Sequence, residues 1–364
     1  MVLEKESKPC RKIYATGNGR CNILNANISS KSFNHPLYME ETLSSYPYSK
    51  LKETLESFGI ILSEEGDLVY PLTFSASSFV SQLLSYAEIL GVRILCEQRV
   101  FSYEQKGDGY EVKTEENSYL CDSLVIAVGG ASSPKLGSDG FLHPLLQKKG
   151  YSWVPLTPGL CPIKVTENVK SLDGSRHKAK VSVMIDNRVA IEETGEILFK
   201  KDGLSGICVF NVSNVIEQTR SKLAPVIYVD LFPNIVMADL VHQMEKVHEI
   251  NGPYFLSSFL TKPLEDYVIK VSKTLTAVAP DKLTYFNLAK AMKGLCFHYA
   301  GSYGFASSQI SIGGLSLSEV DSNLISRREK NVAFVGEVLD LDGFCGGNNL
   351  SWALISALKV SEVL

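Results

Sequence analysis

The sequence predicts an α/β domain that is interrupted by one large inserted segment. The first observation is the run Leu124–Val128, which is apolar throughout and is followed by two glycines. The second is the C-terminal stretch, where a short apolar strand at Val332–Val335 leads through a glycine-rich loop into a helix. The third is the middle of the chain, where short alternating strands give way to helical stripes.

The segment before the insertion predicts a helix, a hairpin and a buried strand. Apolar residues at helical spacing indicate a helix over 76–91, and Gly91 marks its end. Val100–Tyr103 and Tyr110–Val112 alternate on either side of a Gly-Asp-Gly turn, which is typical of a β-hairpin. The run Leu124–Val128 fits a strand that is buried on both faces, as in a parallel sheet.

Pro155–Gly159 marks the start of the insertion, because two prolines and a glycine interrupt any regular element. Beyond it, Val181, Val183 and Ile185 alternate with polar residues up to an Asp-Asn turn, which predicts an antiparallel barrel or sandwich. From about residue 237 the apolar residues recur at helical spacing. We interpret the methionine and leucine stripes there as core faces and not as a site.

Composition and charge exclude several functions. The formal net charge is -4 and the pI is about 5.9, so a general basic surface for nucleic acid is not expected. The sequence shows neither a secretory signal nor an apolar stretch that approaches 18 residues, so we expect a cytoplasmic protein that does not span a membrane. The eight cysteines lack C-x-x-C spacing and are interpreted as reduced thiols, and no residue spacing predicts a metal site.

The C-terminal loop is a candidate ligand site. Gly336 and Glu337 follow a predicted strand, and Gly346 and Gly347 precede a predicted helix. The free N–H groups at a helix start form an anion site, and an acid directly after a strand accepts hydrogen bonds from sugar hydroxyls. The alternative is a tight strand-to-helix turn with surface acids, and the residues alone leave both interpretations open.

Three further features are weak when each is taken alone. Thr16–Asn22, TGNGRCN, has glycines that suit left-handed backbone, but Asn22 stands where the dinucleotide fingerprint G-x-G-x-x-G has its last glycine. Gly129 and Gly130 are also typical of an ordinary turn after a strand, and Glu4 is typical of a solvated surface acid. Their order along the chain is more informative than any one of them.

Taken in that order, the motifs resemble those of a known family. The chain resembles, nearly end to end, the BaiN/YhiN-like NAD(P)/FAD-dependent oxidoreductases, also labelled the aminoacetone oxidase family of FAD-binding enzymes, among the glutathione-reductase-like flavoproteins. By this resemblance Thr16–Asn22 is not the fingerprint but a loop near the flavin and the pyrophosphate. The blocks that carry the resemblance are Arg11–Asn22, Ala127–Lys135 with Gly137–Gly140, Gly203–Gly206, Ile312–Gly314 and Gly336–Leu350.

The resemblance implies an FAD-binding, three-layer Rossmann-like α/β domain split by an inserted β-barrel and a helical subdomain. In the family an acid equivalent to Glu4 follows the fingerprint by roughly 20 residues. We therefore expect the fingerprint, the first strand and the first helix to be missing from residues 1–364, and expect these residues alone to bind FAD weakly or not at all. The implied parts are 1–155 and 316–364 for the FAD-binding domain, 156–235 for the barrel, 236–300 for the helical subdomain and 301–315 for the return of the barrel.

The resemblance also implies FAD as the cofactor and a small organic substrate that exchanges hydride with the flavin. NAD(P)H is left open as the electron donor, since no second G-x-G-x-x-G marks a dedicated site. The catalytic residues and the oligomeric state are not implied. The alternative is an N-terminally truncated or flavin-free family member that acts as a non-catalytic binding protein. The implied cofactor-binding residues are Glu4, Arg11, Lys12, Gly17, Gly19, Arg20, Cys21, Asn22, Gly129, Gly130, Gly336, Glu337, Gly346, Gly347, Asn348 and Leu350.

Roles within this set also follow from the resemblance. Glu4 would hold the ribose of the adenosine, and Glu337 would hold hydroxyls of the ribityl chain. Gly346, Gly347 and Asn348 would face the pyrimidine edge of the isoalloxazine ring at the start of the last helix.

Overall fold

The computed structural model of the chain describes residues 1–219, 223–274 and 280–364. These residues form two compact units, of which one comprises Met1–Pro158 with Phe305–Leu364 and the other Gly159–Gly304. Each unit has its own hydrophobic core. The predicted barrel and helical subdomain include residues 220–222 and 275–279, and the predictions for these lie outside the described residues.

The N-terminal part of the first unit alternates short strands and helices. Three of its strands belong to parallel pairs, and six others form two antiparallel sheets of three strands each. The strands are β1 (Val2–Leu3), β2 (Leu24–Asn25), β3 (Leu62–Glu65), β4 (Leu68–Pro71), β5 (Ile94–Leu95), β6 (Val100–Lys106), β7 (Gly109–Thr114), β8 (Ser118–Cys121), β9 (Leu124–Ile126) and β10 (Trp153–Gly159). The helices are α1 (Arg11–Tyr14), α2 (Pro36–Ser45), α3 (Tyr48–Ser57), α4 (Ala76–Ile89) and α5 (His143–Lys148).

Local sequence signals fix several of these elements. The Ser75 hydroxyl accepts a hydrogen bond from the Ser78 N–H at 3.3 Å and so caps the start of α4. Gly91, just beyond the end of α4, has a positive φ of 72°, which glycine adopts without strain. The helix that the sequence predicts over 76–91 and the hairpin that it predicts around Gly107 are both confirmed.

The second unit is a closed six-stranded barrel with helices packed around it. Its strands β12 and β13 are joined by Asp186 and Asn187, whose φ values of 50° and 61° match a two-residue hairpin turn with both residues left-handed. The barrel order is β11-β14-β13-β12-β15-β16. The strands are β11 (Ile163–Val165), β12 (Arg176–Ile185), β13 (Arg188–Lys200), β14 (Gly203–Ser205), β15 (Val226–Asp230) and β16 (Leu295–Ser302), and the helices are α6 (Ile207–Gln218), α7 (Met237–Asn251), α8 (Lys262–Ser272) and α9 (Lys282–Lys293).

The last part of the chain completes the first unit with β17 (Ile310–Leu315), β18 (Val332–Phe334) and α10 (Asn348–Ser361). Strand β18 runs parallel to β9, and β1 runs parallel to β5. The α/β fold with an inserted barrel is therefore confirmed. One detail differs from the predicted division, because β17 pairs with β10 in the first unit and not with the barrel, although residues 301–315 were assigned to the barrel.

The predicted burial of the Leu124–Val128 strand is wrong. It lies in a parallel pair, as predicted, and its partner is β18, but Val125 is 46% exposed and Val128 is 40% exposed. The strand pairs with a neighbour in a two-stranded sheet, so its second edge and part of its faces stay open. An apolar run shows that a strand has hydrophobic faces, but it does not show how many neighbours cover them.

Candidate functional site

The first unit contains an open cavity of about 190 Å³ at the carboxyl ends of its parallel strands. Glu4 follows β1 directly, Ala127 to Gly129 follow β9, and Glu337 comes three residues after β18. In open α/β sheets ligands bind outside the carboxyl ends of the strands, so this is the position where a site is expected. The cavity is lined by Glu4, Cys10, Arg11, Lys12, Ile13, Ala127, Val128, Gly129, Leu136, Gly137, Ser138 and Glu337.

An ion pair crosses this cavity. Lys12 Nζ lies 2.6 Å from Glu337 Oε2, and both side chains are partly exposed. The other carboxylate oxygen of Glu337 accepts a hydrogen bond of 2.7 Å from the Ser311 N–H of β17. Each oxygen of Glu337 thus has one protein partner, and each keeps lone pairs for a further donor. The carboxylate is therefore fixed in place and still able to bind a ligand hydroxyl.

A second set of charges joins the segment after β1 to the loop 134–141. Arg11 forms an ion pair with Glu6 and donates a hydrogen bond of 2.8 Å to the Lys135 carbonyl. Lys5 pairs with Asp139 at 2.6 Å. Burial alone would raise the pKa of Asp139, but the Lys5 ammonium and the Phe141 N–H outweigh burial and hold that pKa below its usual value. These contacts fix two walls of the cavity against each other.

The Gly129-Gly130 turn is shaped by its neighbours in the fold. A Cβ on Gly130 would lie 2.3 Å from Ser311 Oγ, so only glycine fits beside β17 at this position. Ser311 Oγ accepts the Ala131 N–H at 2.7 Å and lies 3.0 Å from Ser132 Oγ. Ser311 therefore connects the turn after β9 to Glu337, since its N–H binds the carboxylate and its hydroxyl binds the turn.

Two titratable groups beside the cavity are held neutral near pH 7. Burial raises the pKa of the Cys10 thiol above its usual value, and the nearby Glu4 carboxylate adds to this effect. Burial lowers the pKa of His143, whose Nε2 lies 2.9 Å from the Gly129 carbonyl oxygen. A neutral His143 with its proton on Nε2 donates to that carbonyl and supports the turn.

The predicted site residues within 17–22 do not line this cavity and contact a neighbouring strand instead. Residues 17–22 pack on β4, where Asn22 Oδ1 accepts the Val69 N–H at 3.2 Å and the Arg20 guanidinium stacks on Tyr70 with 4.7 Å to the ring centre. Cys21 is fully buried, which raises the pKa of its thiol to about 11. Gly17, Gly19 and Cys21 have positive φ values, as the glycine pattern indicates.

The predicted loop before α10 packs on the neighbouring strand β2. The Gly346 carbonyl accepts a hydrogen bond of 2.8 Å from Asn25 Nδ2, and Asn348 is buried and donates to the Phe344 carbonyl at 3.1 Å. Leu350 packs against the core. Gly336 is held by α10, because its N–H donates to Ser356 Oγ at 2.8 Å.

The structure gives a reason of its own why position 347 must be glycine. Its φ is 90°, and a Cβ there would lie 2.3 Å from the Leu24 carbonyl oxygen of β2. The missing side chain therefore makes room for a strand of the protein itself. The structure brings Glu4, Arg11, Lys12, Gly129 and Glu337 together around the cavity, whereas residues 17–22 and 346–350 meet at β2 and β4.

Sequence reasoning missed Ser138 and Ser311. Ser138 lines the cavity, and Ser311 joins Glu337 to the turn at Gly130. A signal was present for Ser138, because Gly137–Gly140 is one of the blocks that carry the family resemblance. Ser311 gives no such signal, because it is one serine in an ordinary strand, and it meets the turn only in the folded chain.

The cavity, with Glu4 and Glu337 in its lining, lies at the strand ends of a Rossmann-like unit, where folds of this class bind their ligands. The chain belongs to the family described as the HI0933-like protein Rossmann domain, whose model matches residues 1–363. By this resemblance it is a flavin-dependent oxidoreductase. In its described part, no helix has both the length and the apolar character that crossing a membrane requires.

Two relatives match almost the whole chain. The 3-dehydro-bile acid delta(4,6)-reductase of Clostridium scindens is 28% identical over 365 residues, which cover 97% of this chain and 89% of that protein. The ribosomal RNA dihydrouridine synthase of Escherichia coli is 23% identical over 379 residues, which cover 100% of this chain and 91% of that protein.

Solved structures resemble the chain only distantly. The Diels-Alderase PyrE3 matches with a TM-score of 0.35 and 12% identity, over 98% of this chain and 60% of that protein. A single-residue variant of HpxO from Klebsiella pneumoniae, complexed with FAD, matches with a TM-score of 0.28 and 13% identity, over 88% of this chain and 69% of that protein. The chain thus spans about 60% of the length of PyrE3.

Proposed function

We propose that the chain is an FAD-dependent oxidoreductase that exchanges hydride with a small organic substrate. The observation that carries the proposal is the cavity at the ends of β1, β9 and β18, whose lining includes Glu4, Arg11, Lys12 and Glu337. Carboxylates at strand ends bind the hydroxyls of a ribose or a ribityl chain, and the two cations suit a diphosphate. Both kinds of group occur together in FAD.

The residues present fit the sugar and phosphate parts of FAD. The cavity of about 190 Å³ is smaller than the range of about 300–1,000 Å³ that is typical of whole-ligand pockets. The cavity is therefore sized for one portion of a dinucleotide. Its four charged side chains, Glu4, Arg11, Lys12 and Glu337, suit a sugar-phosphate portion, while Ile13, Ala127, Val128 and Leu136 make part of the wall apolar.

Each charged residue has a defined task in this proposal. Glu337, fixed by the Ser311 N–H, would accept a ligand hydroxyl, and Lys12, its present partner, would supply positive charge for a phosphate oxygen. Arg11 stays tied to Glu6 and to the Lys135 carbonyl, and it contributes positive charge at the cavity wall. The bound flavin supplies the two-electron chemistry, and the protein binds and orients it.

A small organic substrate is favoured over ribosomal RNA. One relative is named as a reductase of a 3-dehydro-bile acid and the other as a synthase of dihydrouridine in ribosomal RNA. The chain has a net charge of -4, and the basic residues Arg176 and Lys180 on β12 are ion-paired with Glu196 and Glu192 on β13. These two cations are therefore compensated, but the same strands also carry Lys178, Arg188 and Lys200, so it is the net charge of the chain that disfavours a phosphate backbone. A cyclic ketone with a conjugated double bond is the substrate class we propose.

The test is single-turnover reoxidation of the reduced protein. The purified chain is loaded with FAD, reduced under anaerobic conditions with dithionite, and mixed with a cyclic α,β-unsaturated ketone or with ribosomal RNA. The absorbance of oxidised flavin should return at a rate that rises with ketone concentration. In the control, reduced FAD without the protein should be reoxidised by the ketone much more slowly. Reoxidation by RNA but not by the ketone would contradict the substrate class. Because the fingerprint is expected to be missing from residues 1–364 and binding is expected to be weak, FAD is kept in excess, and absence of bound flavin under that excess would contradict the cofactor.

A further inference from the structure

Ser138 carries a buried hydroxyl that no other described residue satisfies. The residue is 7% exposed, and within residues 1–219, 223–274 and 280–364 its Oγ has no hydrogen-bond partner. Buried side-chain polar atoms are nearly always hydrogen-bonded, because an unpaired one loses its bonds to water and gains nothing in return. An orphaned hydroxyl in a native fold therefore requires an explanation, and its position beside a cavity suggests one.

The hydroxyl and the Glu337 carboxylate lie around the same small volume. A Cβ placed on Gly129 would be 3.6 Å from Ser138 Oγ and 4.0 Å from Glu337 Oε2. Both residues line the cavity, with Gly129 between them. The absence of a side chain at Gly129 thus leaves a space that is bordered by one hydroxyl and by one carboxylate oxygen.

The loop that carries Ser138 is firmly held, so its orphaned hydroxyl does not reflect a loose segment. The Gly140 N–H donates to the Gly130 carbonyl at 3.0 Å, and Asp139 forms its ion pair with Lys5. Gly137 has a φ of 100°, and a Cβ there would lie 2.9 Å from Glu6 Cγ. Both neighbours of Ser138 in the chain are therefore fixed by contacts to the segment after β1.

We propose that Ser138 is a binding residue for a sugar hydroxyl, and that it acts together with Glu337 on neighbouring hydroxyls of one ribose or ribityl chain. The inference rests on the proposed function. A serine hydroxyl both donates and accepts, as a sugar hydroxyl does, and the carboxylate accepts from the adjacent hydroxyl. A phosphate in the same space would be repelled by the negative charge of Glu337, so the chemistry favours a neutral diol.

The experiment compares Ser138→Ala with a matched buried serine. Ser326 is similarly buried, but its hydroxyl lies 2.7 Å from the Tyr151 hydroxyl, and it does not line the cavity. The melting temperature of the ligand-free Ser138→Ala protein should equal or exceed that of the wild type, because an unpaired group is removed. Its FAD affinity, from quenching of flavin fluorescence, should fall about tenfold. Ser326→Ala should lower the melting temperature and leave FAD affinity unchanged.

Competition with riboflavin and with ADP-ribose identifies the sugar. If Ser138→Ala weakens only riboflavin, the hydroxyl binds the ribityl chain, and if it weakens only ADP-ribose, the hydroxyl binds the ribose of the adenosine; either result supports the proposal. Equal binding of all three ligands by wild type and Ser138→Ala would overturn it, as would a lower melting temperature of ligand-free Ser138→Ala. Failure of the wild type itself to bind FAD would show that the proposed function has failed, and the inference with it.

Discussion

Lys12 and Glu337 form an ion pair with 2.6 Å between Nζ and Oε2, although 325 positions separate them in the sequence. The pair joins the segment after the first strand to the segment after the last strand of the first unit. It lies in the wall of the cavity, and neither side chain is deeply buried. An ion pair of this kind contributes little to stability, so its value to the protein is the charge that it presents to a ligand.

Replacing Lys12 should therefore affect ligand binding more than folding. We expect Lys12→Met to weaken FAD binding about tenfold, because a cation beside the diphosphate is lost. The free energy of unfolding should change by less than about 1 kcal/mol, since the pair is partly exposed. Fluorescence titration measures the FAD affinity, and urea denaturation measures the free energy of unfolding. The control is Lys50→Met, which breaks the exposed pair with Glu362 and should leave FAD affinity unchanged.

Gly347→Ala should destabilise the fold whether or not a flavin is present. The added Cβ would meet the Leu24 carbonyl oxygen at 2.3 Å, on a residue with a φ of 90°. We expect the free energy of unfolding to fall by at least about 2 kcal/mol. Gly19→Ala is the matched control, because its φ is 84° but nothing lies within 4 Å of the new Cβ, so a loss of only about 1 kcal/mol is expected. Equal losses in the two variants would contradict the packing of Gly347 on β2.

His35 should make the stability depend on pH. Its Nε2 lies 3.3 Å from Asp340 Oδ2, and this hydrogen bond raises the pKa of His35 above its usual value against the opposing effect of burial. The folded state therefore binds the proton more tightly, and the stabilisation is complete below about pH 6.5 and is lost as the pH rises through the folded pKa. Because His35 is 40% exposed, solvent screening limits the effect to less than about 1 kcal/mol.

The measurement is the free energy of unfolding at pH 5.5 and at pH 8.5 for wild type and for His35→Gln. The difference between the two proteins should shrink at the higher pH. Comparison within each pH is needed, because burial lowers the pKa of His143 and gives that residue the opposite pH dependence. A difference that stays constant between the two pH values would exclude the His35–Asp340 contact as the cause.

Glu319 should contribute to acid denaturation. Its hydrogen bond with Arg328 outweighs the effect of burial and lowers the pKa of Glu319 to about 2. The stabilisation is present above the unfolded pKa of about 4.3 and is lost as the pH falls toward 2. Glu319→Gln should reduce the free energy of unfolding by about 1–2 kcal/mol at pH 7 and by less at pH 2.5. Urea denaturation at the two pH values tests this, and an equal loss at both would show that the charge of Glu319 plays no part.

Elements with strong local signals were predictable from the sequence. The helix over 76–91 has a cap and a terminating glycine, and the Asp186-Asn187 turn suits left-handed backbone at both positions. These signals act within a few residues of one another. The burial of Leu124–Val128 was not predictable in this way, because it depends on which strands lie beside β9. The apolar pattern of one strand does not indicate which other strands pair with it.

The candidate site was predictable only in part. Glu4 and Glu337 follow strands, and the carboxyl ends of parallel strands gather ligand-binding groups, so local reasoning places them together. Ser311 reaches the turn after β9 across 180 positions of sequence, and no local pattern indicates such a contact. At Gly347 the sequence indicates a glycine turn, but it does not indicate that the Leu24 carbonyl of β2 also excludes a side chain there.

The central claim, that Glu337 binds a sugar hydroxyl of FAD in the strand-end cavity, is tested most directly by calorimetric titration of the chain with FAD. The wild type should show saturable binding at one site, and Glu337→Gln, which keeps the size of the side chain but removes its charge, should bind about tenfold more weakly. Glu53→Gln, at an exposed position of α3, should bind as the wild type does. Equal affinity of the wild type and Glu337→Gln would contradict the account. Since residues 1–364 are expected to bind FAD only weakly, the titration is carried to a large excess of FAD, and no binding by either protein under that excess would also contradict it.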